Sequence, residues 1–202
     1  MFRLALATVL ALFAQAASAT TYTLEPHYTQ GVLRWDHLGF SYPAAQFAQG
    51  TGTLEFDESD PTMSSIKVTI PLASLNTGVP DLDERLKSED FFEVSKFPTA
   101  TFVSTRVEKG MGTNRFKVTG NLTIREITRP VMLDVTLLKV GKNVRTEVAT
   151  IGFDARGTLK RSDFGLGAYV PQVSDEIQLL ITTQAAEAKA YAAFLEAKKA
   201  GK

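Results

Sequence analysis

Apolar and polar residues alternate with a period of two along most of this chain. Ile66, Val68 and Ile70 alternate with Lys67 and Thr69. Phe116, Val118, Gly120, Leu122 and Ile124 alternate with Lys117, Thr119, Asn121, Thr123 and Arg125. Val131 to Leu137, Ala149 to Ala155 and Ile177 to Ile181 keep the same rhythm. Such a period puts one set of side chains on each face of a strand. Thr99 to Arg106, rich in Thr, Val and Phe, reads as another strand, opened by Pro98. Gly31 to Leu38 is the first convincing strand, and Gly39 to Pro43 breaks it. Gly50 and Gly52 predict a bent or bulged strand between Phe47 and Asp57, and Asp57 to Pro61 is a turn cluster. About eight strands with short connections and no βα alternation argue for an antiparallel barrel or sandwich.

Two stretches depart from this pattern. Leu82 and Leu86 lie four apart behind Pro80, with Asp81, Asp83 and Glu84 in the first turn, which predicts a short helix. Ala185 to Lys199 is composed of strong helix formers, with Tyr191, Phe194 and Leu195 on one face and Gly201 beyond the end. This tail helix either packs on the barrel or docks a partner. Between the first helix and the Thr99 strand lies KSEDFFEVSKFPTATF, where Phe91, Phe92, Phe97 and Phe102 crowd one short connection. These rings either plug one end of the barrel or guard the mouth of a ligand cavity.

The N-terminus adds an address. Arg3, the apolar run Leu4 to Phe13 and Ala17-Ser18-Ala19 have the pattern of a cleaved secretory leader. The expected organisation is a signal peptide over 1–19, a barrel domain over 20–184 and a helical extension over 185–202, with the mature protein in the periplasm. Without Arg3 the chain has 21 basic against 22 acidic residues, and no basic stripe is left for a nucleic acid. There is no cysteine, so disulfides and thiolate chemistry are excluded.

Candidate chemistry is sparse. His27 and His37 are the two histidines, without metal-ligand spacing, and no G-x-S-x-G elbow occurs. Asp163-Phe164-Gly165 matches a kinase magnesium motif but lacks the rest of the kinase set. The acidic residues from Asp81 to Asp90 lack the EF-hand loop pattern. Asp36 and His37 are adjacent in a strand reading, so they point to opposite faces. No catalytic residue, metal site or cofactor is expected.

Several segments taken together resemble the YceI-like family of secreted, lipocalin-like isoprenoid-binding proteins. They are His37-Leu38-Gly39, Ser74 to Gly78, Leu86 to Phe92, Phe97 to Thr105, Gly120 to Arg125, Thr128 to Val131, Arg161 to Gly165 and Val173 to Asp175. The resemblance implies an all-β, eight-stranded antiparallel up-and-down barrel with one short helix near the mouth; the C-terminal helix has no counterpart. It implies a binding or carrier protein, not an enzyme, with an apolar interior for a polyprenyl phosphate or isoprenoid quinone. Glu126 stands where the family pattern has a turn glycine, which predicts a longer or differently shaped hairpin.

The expected ligand contacts are Trp35, His37, Phe56, Phe91, Phe92, Phe102, Phe116, Val118, Gly120, Leu122, Ile124 and Phe164. Arg85, Lys87 and Arg161 are candidates for a phosphate head group, and His37 for a quinone carbonyl. Gly120 is expected to leave room on the inward face. Expected partners are the lipid itself, transient contacts with inner-membrane or respiratory proteins, and a homodimer. An enzyme acting on such a lipid and a solid-cored interaction module are the alternatives.

Overall fold

Two of the barrel's staves are each broken in the middle. In the computed structural model, which describes residues 19–201, β1 (Thr20–Leu24) and β2 (Gln30–Arg34) flank a short 3-10 turn at Pro26–Tyr28. Both pair with β10 (Glu176–Glu187), β2 through Gln178 to Thr182 and β1 through Ala185 to Glu187. They are therefore two halves of one stave. β3 (Ala44–Phe47) and β4 (Thr51–Phe56) form the next, pairing with β2 and β1 respectively. The break between them needs Gly50, where a Cβ would lie 2.7 Å from the Thr29 methyl carbon. The expected leader, apart from Ala19, lies outside the described residues.

The remaining staves are β5 (Ser65–Pro71), β6 (Thr99–Lys109), β7 (Arg115–Ile124), β8 (Ile127–Lys142) and β9 (Ala149–Lys160). Each pairs antiparallel with its neighbours in sequence, and β10 returns to β1. With the two broken staves counted once each, this is a closed eight-stranded up-and-down barrel, as expected. Alternation places Val118, Leu122 and Ile124 inside together with Leu133, Ala155 and Leu179. A bulge between Ser104 and Arg106 shifts the phase of β6, so that Phe102 and Val107 both face inward although they lie five positions apart.

The topology sorts the connections into two ends. Loops 35–43 and 161–175, the 72–98 segment and the 125–126 turn are at one end. Loops 57–64, 110–114 and 143–148 are at the other, where α2 (Ala188–Ala200) also begins. The 72–98 segment carries α1 (Pro80–Lys87). Asp83 turns back to accept from Thr77 N–H and Oγ, both at 2.6 Å, and these bonds lower its carboxyl pKa.

Two expectations need correction. The β7–β8 hairpin is not enlarged: Ile124 pairs directly with Ile127 across a two-residue turn. Arg125 and Glu126 adopt φ of 50° and 64°, where glycine is ordinarily favoured. Arg125 is held there by donating to Phe91 O at 2.8 Å and Glu93 Oε2 at 3.1 Å. The boundary expected at Gln184 falls inside β10. Ala185 and Ala186 are each 1 % exposed and pair with Ile151 and Thr150, so barrel packing overrides their helical propensity. The tail helix starts only at Ala188, capped by Glu187, whose carboxylate accepts from Lys189 and Ala190 N–H.

Deleting residues 188–202 is accordingly expected to leave urea unfolding cooperative. Deleting from Ala186 removes ladder residues paired on both sides and should cost about 2–3 kcal/mol more. Equal midpoints for the two truncations would show that the last turn of β10 is dispensable.

Candidate ligand-binding cavity

The inward faces do not meet. They enclose a cavity of about 770 Å³ inside the barrel. Every stave contributes apolar side chains, among them Leu33, Phe47, Ile66, Phe102, Val118, Leu133, Ala155 and Leu179. Such a space is not a packing defect but a container, and its volume lies in the usual range for small-molecule sites.

The α1 end forms the mouth. Leu82 and Leu86 of α1 face the cavity, and no residue of the helix is fully buried. Phe92 packs edge-on against Phe47, with ring centroids 5.5 Å apart, and Phe91 stacks on Tyr169 at 6.5 Å. Arg85 lies 5.0 Å over the Tyr169 ring and donates to its hydroxyl. His37 reaches the same region from a loop bridged to both Ser41 and Val173. Among the described residues, His37, Arg85, Arg161 and Tyr169 are the titratable side chains on the wall, and no carboxylate lines it. The polar end of the cavity is therefore neutral to positive.

Of the residues expected from sequence, Trp35, His37, Phe56, Phe91, Phe92, Phe102, Phe116, Val118, Leu122, Ile124, Arg85 and Arg161 lie on the wall. Gly120, Phe164 and Lys87 do not. Gly120 points inward, but the Phe102 ring lies over it: a Cβ there would be 2.3 Å from Phe102 Cζ and 2.7 Å from Val103 O. The room left by the glycine is taken by the ring, so bulk added at this position collides with the wall before it reaches the cavity. Phe164, in the 3-10 turn that opens the 161–175 loop, is 1 % exposed and packed in the core. Lys87, the last residue of α1, is off the cavity-facing side that carries Leu82, Arg85 and Leu86.

Arg161 lines the cavity without being free to hold a head group. It is 7 % exposed. Its Nε donates to Ser174 O at 2.9 Å and Nη2 to Val173 O at 3.0 Å. Nη1 donates to Ala168 O at 2.7 Å and also to Leu166 O. Burial lowers its pKa, opposed by the nearby Asp175 carboxylate. The guanidinium is a clamp for the loop that frames the mouth.

Sequence reasoning missed much of the wall. Ile66, Val68, Leu133, Ala155 and Leu179 belong to alternating runs and could have been found by extending the same periodicity to every stave. Leu166, Tyr169 and Gln172 come from an irregular loop with no periodic signal.

An eight-stranded closed barrel with an apolar interior and a polar mouth has the architecture of a lipocalin-like, lipid-binding barrel. Residues 22–185 match the model of the YceI-like domain, and the chain belongs to that family. It is 35% identical over 156 residues to protein YceI of Salmonella arizonae, covering 77% of this chain and 80% of that one. Burkholderia cenocepacia BcnA superposes with a TM-score of 0.68 at 26% identity, covering 77% and 95% of the two chains. A polyisoprenoid binding domain from Saccharophagus degradans, implicated in plant cell wall breakdown, shares the fold with a TM-score of 0.61 at 15% identity, covering 83% and 99%.

Proposed function

We propose that this protein is a periplasmic carrier that holds a long-chain isoprenoid in the barrel, its chain inside and its head group at the mouth. The observation that carries this reading is the 770 Å³ apolar cavity. Membership of the YceI-like family and the polyisoprenoid-binding neighbour point the same way. The leader-like 1–19 segment supports the address. His37 and Arg85 are the proposed head-group contacts, suited to a quinone carbonyl or a phosphate. Transfer from a bilayer gains little from the hydrophobic effect, because the chain leaves one apolar medium for another. Shape fit and the mouth contacts must therefore decide the affinity.

Two measurements test this. Mass spectrometry of organic extracts of protein purified from its own host should show a long-chain isoprenoid. Trp35, the single tryptophan, lies on the wall, so titration with an isoprenoid quinone should quench its fluorescence to saturation. Empty extracts together with an unchanged tryptophan signal would sink the proposal.

A further inference from the structure

The mouth also carries an outward-facing feature. Loop 35–43 reverses at Leu38 and Gly39, with φ of 60° and 74°, and Phe40 N–H donates to His37 O at 3.1 Å. The reversal throws Phe40 outward, where it is 90% exposed, beside Leu38 and Tyr42 at 49% and 57%. Leu38 N–H donates to Gln172 O at 3.2 Å and Ser174 N–H to Asp36 O at 3.0 Å, tying this loop to 161–175. That loop brings exposed Tyr169 to the same rim. Arg34 lies 5.1 Å over Tyr42, as Arg85 lies over Tyr169.

We infer that this rim docks on a phospholipid bilayer, with Phe40 entering the acyl boundary and the two arginine–tyrosine pairs resting among the head groups. The inference rests on the isoprenoid reading of the cavity, because a bilayer is where such a ligand waits. Three observations single out a bilayer as the occupant. Leu38 and Tyr169 are both exposed and on the cavity wall, so apolar surface runs unbroken from outside to inside. Tyrosines paired with cations suit the membrane–water interface, where an amphipathic ring meets phosphates. The apolar side chains stand on separate loop tips around an opening, a shape that suits a penetrable surface better than a flat protein face. The acidic residues Asp81, Glu84, Glu89 and Asp90 sit on the α1 side. Within the two docking loops Asp36 accepts from Gly39 N–H, Asp175 accepts from Ser162, and Asp163 lies in the 3-10 turn next to β9. This leaves the 38–42 and 169–170 tips, without a carboxylate, as the leading edge. The opposite end also exposes apolar residues, notably Met111 at 94%, but there the wall residues nearest the loops are Pro61, Ser64 and Ser65, without aromatic–cation pairs.

Flotation with vesicles of phosphatidylethanolamine and phosphatidylglycerol tests this directly. Wild-type protein should float. Phe40→Asp should lose partitioning by about tenfold or more, and Met111→Asp should float like the wild type. An isoprenoid quinone delivered from detergent should quench Trp35 equally in wild type and Phe40→Asp, since Phe40 is not on the wall. A wild type that does not float, a Phe40→Asp variant that floats as well, or a loss confined to Met111→Asp would overturn the docking surface. Expected flotation without any Trp35 quenching, together with organic extracts empty of isoprenoid, would support the docking surface and overturn the isoprenoid reading.

Discussion

Replacing Arg161 with methionine is expected to lower the melting temperature by roughly 8–16 °C, at ~2–4 °C per kcal/mol for a chain of this size. The guanidinium donates to four backbone carbonyls, of Leu166, Ala168, Val173 and Ser174. An apolar side chain of similar length fills the space but leaves these acceptors without their donor, at a combined cost of about 4 kcal/mol. Lysine should not rescue, because one ammonium cannot reach carbonyls that the planar fork meets in several directions. Ligand affinity should fall as well, since the same loop supplies Leu166, Tyr169 and Gln172 to the mouth. Calorimetry of both variants checks this, and a melting point within about 2 °C of wild type would mean that the loop is held by other contacts.

Ala155→Phe should produce the opposite combination, near-wild-type stability with loss of the long-chain ligand. Ala155 is on β9 with its methyl group on the cavity wall. Added rings project into open space, so the usual overpacking cost of about 1–3 kcal/mol should largely be absent. Quinone affinity by Trp35 quenching should fall by at least about tenfold, the equivalent of losing two buried methylenes at ~0.8 kcal/mol each. Gly120→Phe, the substitution that alternation alone would suggest, should instead fail to fold, because even a methyl group there meets Phe102 and Val103 O. An Ala155→Phe variant that melts far below wild type would show a core too tightly filled to admit a chain.

The contrast between Ala155 and Gly120 shows where sequence reading stops. Alternation placed both positions on inward faces, but which inward position opens on empty space depends on the ring across the strand. The barrel was legible because period-two patterning and turn residues mark its staves. Gly50 signalled one broken stave, whereas the 3-10 turn at Pro26–Tyr28 passed unnoticed within a β-rich stretch. The bulge at Thr105 has no marker glycine, so the shift that carries Val107 inward was unreadable. Arg161 looked like a head-group contact from its charge alone; its role as a clamp depends on carbonyls that only the folded loop brings together. The tail misled by composition, since Ala185 and Ala186 favour a helix in isolation and a strand beside Leu24 and Ile151.

The pairing of Tyr22 with Glu187 places the start of β1 beside the start of α2, at the end of the barrel farthest from the α1 mouth. From there α2 turns back along the barrel wall against β1 and β10, with Tyr191 beside Glu25 and Tyr28. The chain thus enters β1 through the floor, while the helix runs along the side. A tether or immobilising bead attached ahead of Thr20 would hold the molecule upright with its opening turned away from the support, like a cup fixed by its base. Sensors built on this scaffold can therefore be anchored at that end without obstructing uptake.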